Sequence, residues 1–363
     1  MNIERSVKER YSRSALQREE SLCCPIDYDA GLLEMLPEEI ISRDYGCGDP
    51  SRYVRPGDTV LDLGSGGGKI CYMAAQLTGP EGRVIGVDMN DDMLALARKY
   101  QDEMSARLGS DRVSFVKGNI QDLALDLETL EHYLAGHPVN NPQSYADLKS
   151  WEQQQRREQP LIADASVDLV ISNCVLNLVS DHEKQQLVQE IYRVLKPGGR
   201  IAISDIISDR PVPAALKNDA ELWSGCLSGA FQEAEFLQAF AHAGFQAVTY
   251  DKWDHQPWRV IDDIVFRSAT LTAVKALPVH TASRESALMY RGPFAEILDD
   301  TGQRFPRGER VTVSATQYTV LTGKAYGDAF IDTAPAQPEA VNSCCAGPTD
   351  STQPAQGGNA GCC

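Results

Sequence analysis

The sequence predicts an α/β chain: a doubly wound, mostly parallel sheet, then a small C-terminal β appendage and a disordered tail. Three observations predict it. Short apolar runs alternate with helix-length segments from Thr59 to Asp205. A glycine-rich stretch, Gly64-Ser65-Gly66-Gly67-Gly68, directly follows the first apolar run, where an open sheet hands its chain to a helix. After Ile331, Ala, Pro, Gln, Gly and Ser replace the apolar residues that a core needs.

Taken in order, residues 1–57 form an N-terminal helical, cysteine-bearing segment. Its first 21 residues are a polar, helix-prone lead-in. An amphipathic helix over 31–42 carries Leu32, Leu33, Leu36 and Ile40 on one side. The sheet domain, 58–275, opens with a strand at Thr59–Leu63 and a helix over 69–77. A strand at Arg83–Asp88, a long helix over 91–108 and a strand over 112–116 follow. Residues 124–162 read as a helical insertion. A strand over 167–171 precedes a helix over 183–195, which Lys196-Pro197-Gly198-Gly199 stops as a turn. A strand over 200–205, a helix over 233–243 and a period-two strand over 263–275 complete the domain. Residues 276–331 form the appendage, with β-like runs at 310–314 and 317–322. Residues 332–363 form the tail.

Bulk properties exclude several classes. A formal charge of −17 over 363 residues disfavours binding a phosphate backbone, so no nucleic-acid partner is expected. No apolar run reaches membrane-spanning length, and the N-terminus lacks a secretory core. A cytoplasmic chain is expected, without a membrane partner. There the ten cysteines stay mostly reduced, so ligand or catalytic roles outrank a disulfide framework.

The glycine loop points to a nucleotide-like ligand. Asp62 precedes it and suits a cationic amino-acid group. Asp88 ends the second strand, where a carboxylate accepts ribose hydroxyls, and Asn119-Ile120 follows the third, where adenine packs. An NAD fingerprint needs a glycine where Lys69 stands, which favours S-adenosylmethionine.

Cys174 follows the fourth strand, at the end where ligands bind. Cys47, in Tyr45-Gly46-Cys47-Gly48, and Cys226, in Trp223-Ser224-Gly225-Cys226, have similar loop settings. Together they suggest a trithiolate trap. Zinc sites usually show closely spaced ligand pairs, and these three have none. Cys71 lies inside a helix and reads as a buried small hydrophobe. Cys344-Cys345 and Cys362-Cys363 in the tail read as exposed thiols.

The glycine loop and the Gly86-Val87-Asp88-Met89-Asn90 segment resemble class I S-adenosylmethionine-dependent methyltransferases. With Tyr45-Gly46-Cys47-Gly48, Ser172-Asn173-Cys174-Val175-Leu176-Asn177-Leu178 and Gly225-Cys226-Leu227-Ser228-Gly229-Ala230 added, the chain resembles arsenite methyltransferases from about Cys23 to Lys275. The resemblance implies a Rossmann-like methyltransferase sheet. It implies that Cys47, Cys174 and Cys226 bind trivalent arsenic, delivered as a thiol conjugate. It also implies that Cys24 or Cys23 takes part in thiol exchange, with glutathione or thioredoxin as reductant. Tyr45, Asp62, Gly64, Gly66, Gly68, Asp88, Met89, Asn119, Ile120 and Asn173 are the candidate cofactor contacts. Two alternatives stand beside this reading: a methyltransferase acting on another small nucleophile, and a non-catalytic thiol-rich arsenic-binding protein.

Overall fold

A computed structural model describes residues 3–19, 26–277, 286–323 and 326–333. Its main sheet contains β1 (Thr59–Leu63), β2 (Arg83–Asp88), β3 (Val113–Lys117), β4 (Val167–Asn173), β5 (Leu195–Ser208), β6 (Phe231–Gln232), β7 (Phe245–Trp253), β8 (Arg259–Ile261) and β9 (Ile264–Lys275). The strand order is β3-β2-β1-β4-β5-β9-β7. The first five strands run parallel, whereas β9 pairs antiparallel with both β5 and β7. The sheet is therefore doubly wound and mostly parallel, as the alternation predicts.

Helices cover both faces, so the central strands are apolar on both sides. On β1, Val60 enters one core cluster with Tyr72, Met73 and Leu169. Its neighbour Leu61 enters the other with Val170, Leu187 and Ile203. The strand order reverses between β1 and β4, which opens a crevice at their carboxyl ends.

Several local expectations are corrected. The helix over 31–42 is two short helices, Ala30–Glu34 and Glu38–Ser42, interrupted by Pro37. The helix over 91–108 breaks at Tyr100, whose hydroxyl is anchored on Glu39. Lys196-Pro197-Gly198-Gly199 is no separate turn but the start of β5, accommodated by a register shift against β4. Residues 317–322 are not a strand. Ser314 and Gln317 form a capping box that starts the helix Ala315–Leu321. β7 goes unread in the sequence; its period-two burial is broken by register shifts.

The insertion contains the helices Leu127–Gly136 and Pro142–Glu158. In the appendage, Ser286–Tyr290 pairs with Arg310–Val313 and Phe330–Asp332. Asp332 and Thr333 thus belong to this small sheet, Thr333 by bonds to the carbonyl of Ala287. The tail cysteines Cys344, Cys345, Cys362 and Cys363, like Cys23 and Cys24, lie outside the described residues.

Candidate active site at the carboxyl ends of the parallel strands

A cleft opens at the reversal point, with about 1070 Å³ of atom-free space including its mouth. Tyr45, Asp62, Gly64, Gly66, Asp88, Met89, Ile120 and Asn173 line it, and so does Cys174. Gly68 stands behind it as the cap of the helix Lys69–Thr78, and Asn119 faces an adjoining groove. Gly64 has φ 70°, and a Cβ there would lie 2.4 Å from Val175. Only glycine fits.

The Asp88 carboxylate accepts the backbone N–H groups of Gly66 (2.9 Å) and Asn90 (2.8 Å), tying β2 to the glycine loop. Burial raises its pKa. Ser65 lines the cleft, and its Oγ is buried against Gly86 of β2 with no hydrogen-bond partner among the described residues.

Asp62 is buried at the base and accepts from Cys71 Sγ at 3.2 Å. Burial pushes its carboxyl up to about 7. The unfolded chain loses this proton near pH ~3.9. The stability contributed by Asp62 is therefore complete below that value and is lost as pH rises through about 7. Asp62→Asn keeps an acceptor for Cys71. It should raise the Tm of the ligand-free protein at pH 8 by roughly 2 °C or more, and the gap should narrow steadily as the pH falls to 5. Thermal melts across this range test it; a gap independent of pH would contradict the burial argument.

The N-terminal helix Ile3–Leu16 roofs the cleft, and the sequence reading missed it as a wall. Val7, Lys8 and Tyr11 line the cleft from this side. Asn90 Nδ2 donates to Lys8 O and Ser12 Oγ, both at 3.1 Å. On its far side Arg10 is buried and donates to Glu221 O (2.8 Å) and Ser224 Oγ (2.9 Å), next to Cys226. The only signal in the sequence is an apolar or aromatic residue every few positions, too sparse to stand out from a polar helix.

Cys47, Cys174 and Cys226 converge, all buried, in one cluster with Ile206 and Phe266. Cys47 and Cys174 are joined in a disulfide, where reduced thiols are expected. Two cysteines from loops 127 residues apart in sequence thus bring their sulfurs together. Cys226 packs in the same cluster, but its sulfur stands outside the close group that the other two form with a carboxylate; it donates to Cys174 O at 3.0 Å, with Tyr11 Oη 3.9 Å away. Cys174 and Cys226 both hold left-handed backbone, φ 61° and 62°, uncommon outside glycine and frequent at functional sites. Asp205 was not foreseen. Its carboxylate, Cys47 Sγ and Cys174 Sγ lie within 4.8 Å of one another, and burial pushes its pKa up to about 7. Cys71 is fully buried behind the glycine loop, apart from this cluster.

A methyltransferase-domain family model matches residues 55–134 and 147–244. A second model, for a domain of unknown function, matches 279–360. The chain is 34% identical over 295 residues to an arsenite methyltransferase of Aquipseudomonas alcaligenes, covering 76% of this chain and 74% of that one. It is 31% identical over 313 residues to the arsenite methyltransferase of Mus musculus, covering 83% and 73%. The chain belongs to the arsenite methyltransferase family. Among solved structures it is similar to CrArsM, an arsenic (III) S-adenosylmethionine methyltransferase from Chlamydomonas reinhardtii. There the TM-score is 0.57 at 25% identity, covering 85% of this chain and 96% of that one. The family's Rossmann-like methyltransferase sheet is the sheet described above. Among the described residues, no helix is long and apolar enough to cross a membrane.

Proposed function

We propose that this chain transfers methyl groups from S-adenosylmethionine to trivalent arsenic held by Cys47, Cys174 and Cys226. One observation carries the reading: Cys174 belongs both to the thiol cluster and to the wall of the cofactor cleft. Asp88 and the glycine loop would hold the nucleoside, and Asp62 the amino-acid end. When bound, S-adenosylmethionine supplies an electrophilic methyl group, which passes to the arsenic lone pair.

Arsenic(III) is soft and makes three bonds in a pyramid, with its lone pair opposite them. Thiolates suit such a centre. Three cysteines fixed on separate loops leave the lone pair as the one reactive direction. No general base is needed, and the chain's contribution is alignment. Burial of the sulfurs excludes water from the arsenical. Methylation takes arsenic from trivalent to pentavalent, so an electron pair must return. Two thiolates joining as a disulfide release that pair, and the Cys47–Cys174 pairing is geometry suited to it. Glutathione or thioredoxin would then reopen the disulfide, with Cys23 or Cys24 as exchange partner. A cytoplasmic setting suits this chemistry. Incubation with arsenite, S-adenosylmethionine and glutathione, followed by mass spectrometry, tests the reading; absence of methylated arsenicals would refute it.

The tail offers a separate test. Its composition lacks the apolar residues for packing. Deleting residues 334–363, which spares Asp332 and Thr333, should leave Tm and the rate at saturating arsenite unchanged. Rate curves against arsenite for full-length and truncated protein should superimpose. A lower rate confined to scarce arsenite would instead assign arsenic delivery to the tail cysteines.

A further inference from the structure

Two asparagines four positions apart bracket Cys174, and each ties a different partner loop to it. Asn173 ends β4 and faces the Cys47 loop. Its Oδ1 accepts the backbone N–H of Cys47 at 2.9 Å and of Gly48 at 3.0 Å, and its Nδ2 donates to Gly48 O at 2.8 Å. The loop lies so close that a Cβ on Gly46 would stand 2.0 Å from Asn173 Nδ2. Asn177 is fully buried on the other side. Its Nδ2 donates to Asp205 Oδ1 at 2.7 Å, Ile206 O at 2.6 Å and Cys226 O at 3.2 Å. It thereby pins the left-handed turn at Cys226 to the end of β5, next to the equally left-handed Cys174.

We infer that Asn173 and Asn177 are positioning residues with separate duties: Asn173 sets the Cys47 sulfur, and Asn177 sets Cys226 against Cys174. The inference rests on the arsenic reading above and adds a substrate dependence to it. Inorganic arsenite offers three bonds to sulfur. Methylarsenite offers two, because a methyl group already fills one. Cys174 and Cys226 are anchored to neighbouring strand ends and linked directly by Cys226 Sγ to Cys174 O. The Cys47 loop comes from the N-terminal segment and is held by Asn173 and by Ser268 Oγ on Cys47 O (2.6 Å). On this assignment a two-thiolate substrate is held by Cys174 and Cys226, whose turns are tied to each other, and dispenses with Cys47. Loosening Asn173 then penalises arsenite selectively, whereas loosening Asn177 penalises both substrates.

The test compares kcat/KM for arsenite and methylarsenite in wild type, Asn173→Ala and Asn177→Ala, with glutathione fixed. The arsenite-to-methylarsenite ratio should fall about tenfold or more in Asn173→Ala, the scale of losing hydrogen bonds to a buried loop. It should stay within about twofold in Asn177→Ala while both constants drop together. X-ray absorption on arsenite-loaded protein adds a readout that general destabilisation would not move. The sulfur count around arsenic should fall from three to two in Asn173→Ala. If Asn173→Ala does not fold, Gly46→Ala displaces the same loop from the other side and should shift the ratio the same way. An unchanged ratio in Asn173→Ala or its substitute, or methylarsenite activity spared in Asn177→Ala, overturns the assignment. A wild type that methylates neither arsenical overturns the arsenic reading itself, and this assignment with it.

Discussion

Cys174→Ser and Cys226→Ser should each abolish methylation of arsenite while leaving S-adenosylmethionine binding intact. Serine replaces a soft donor with a hard one at nearly the same volume, so the ligand is lost without a cavity. Both residues sit in left-handed turns fixed by buried hydrogen bonds, so neither sulfur can be replaced by a neighbour sliding into place. Cys174 lines the cofactor cleft, but the Asp88 carboxylate is tied to the glycine loop through Gly66 and not through a cysteine, so both should keep their ligand. Cys47→Ser should depress the first methylation most. Product analysis by mass spectrometry, alongside cofactor binding by calorimetry, reads all three variants. Full activity on arsenite in either the Cys174 or the Cys226 variant would sink the trithiolate model.

The second large effect is expected at Asp88. Its carboxylate would meet the ribose hydroxyls and already holds the N–H groups of Gly66 and Asn90. Asp88→Ala leaves ligand donors without an acceptor and releases the glycine loop. Loss of hydrogen bonds to a charged group costs about 1.5–3 kcal/mol, so the Kd for S-adenosylmethionine should rise roughly ten- to a hundredfold. Titration calorimetry on the folded variant measures it. An unchanged Kd would remove Asp88 from the cofactor site.

The parts of this molecule that follow local rules are legible in the sequence. β1 and β2 begin and end where their apolar runs do, because a central parallel strand buries both faces. The glycine loop is legible because its backbone admits no side chain at Gly64. Elements governed by distant contacts are not. The break at Tyr100 depends on Glu39, and β7 is fixed by its partner β9. The same divide runs through the candidate site. Cys47, Cys174 and Cys226 announce themselves by chemistry and family motif. Asp205 lies within the strand run Ile203-Ser204-Asp205-Ile206-Ile207 and acquires its place only when β5 passes the end of β4 beside Cys47 and Cys174. Tyr11 becomes a wall only because Arg10 and Asn90 fasten its helix over the cleft.

The route by which the chain is stitched together has a consequence for biosynthesis. The glycine loop and its flanking strands are neighbours in sequence and can close early. The thiol cluster cannot. Ser268, on β9, holds the carbonyl of Cys47 across a separation of 221 residues, and β9 must enter between β5 and β7 before that bond exists. On a ribosome the cysteines therefore emerge well before the strand that encloses them. Until then they are open to any thiophile in the surrounding medium. Newly made chains therefore present these thiols before the strand that holds the Cys47 loop is in place.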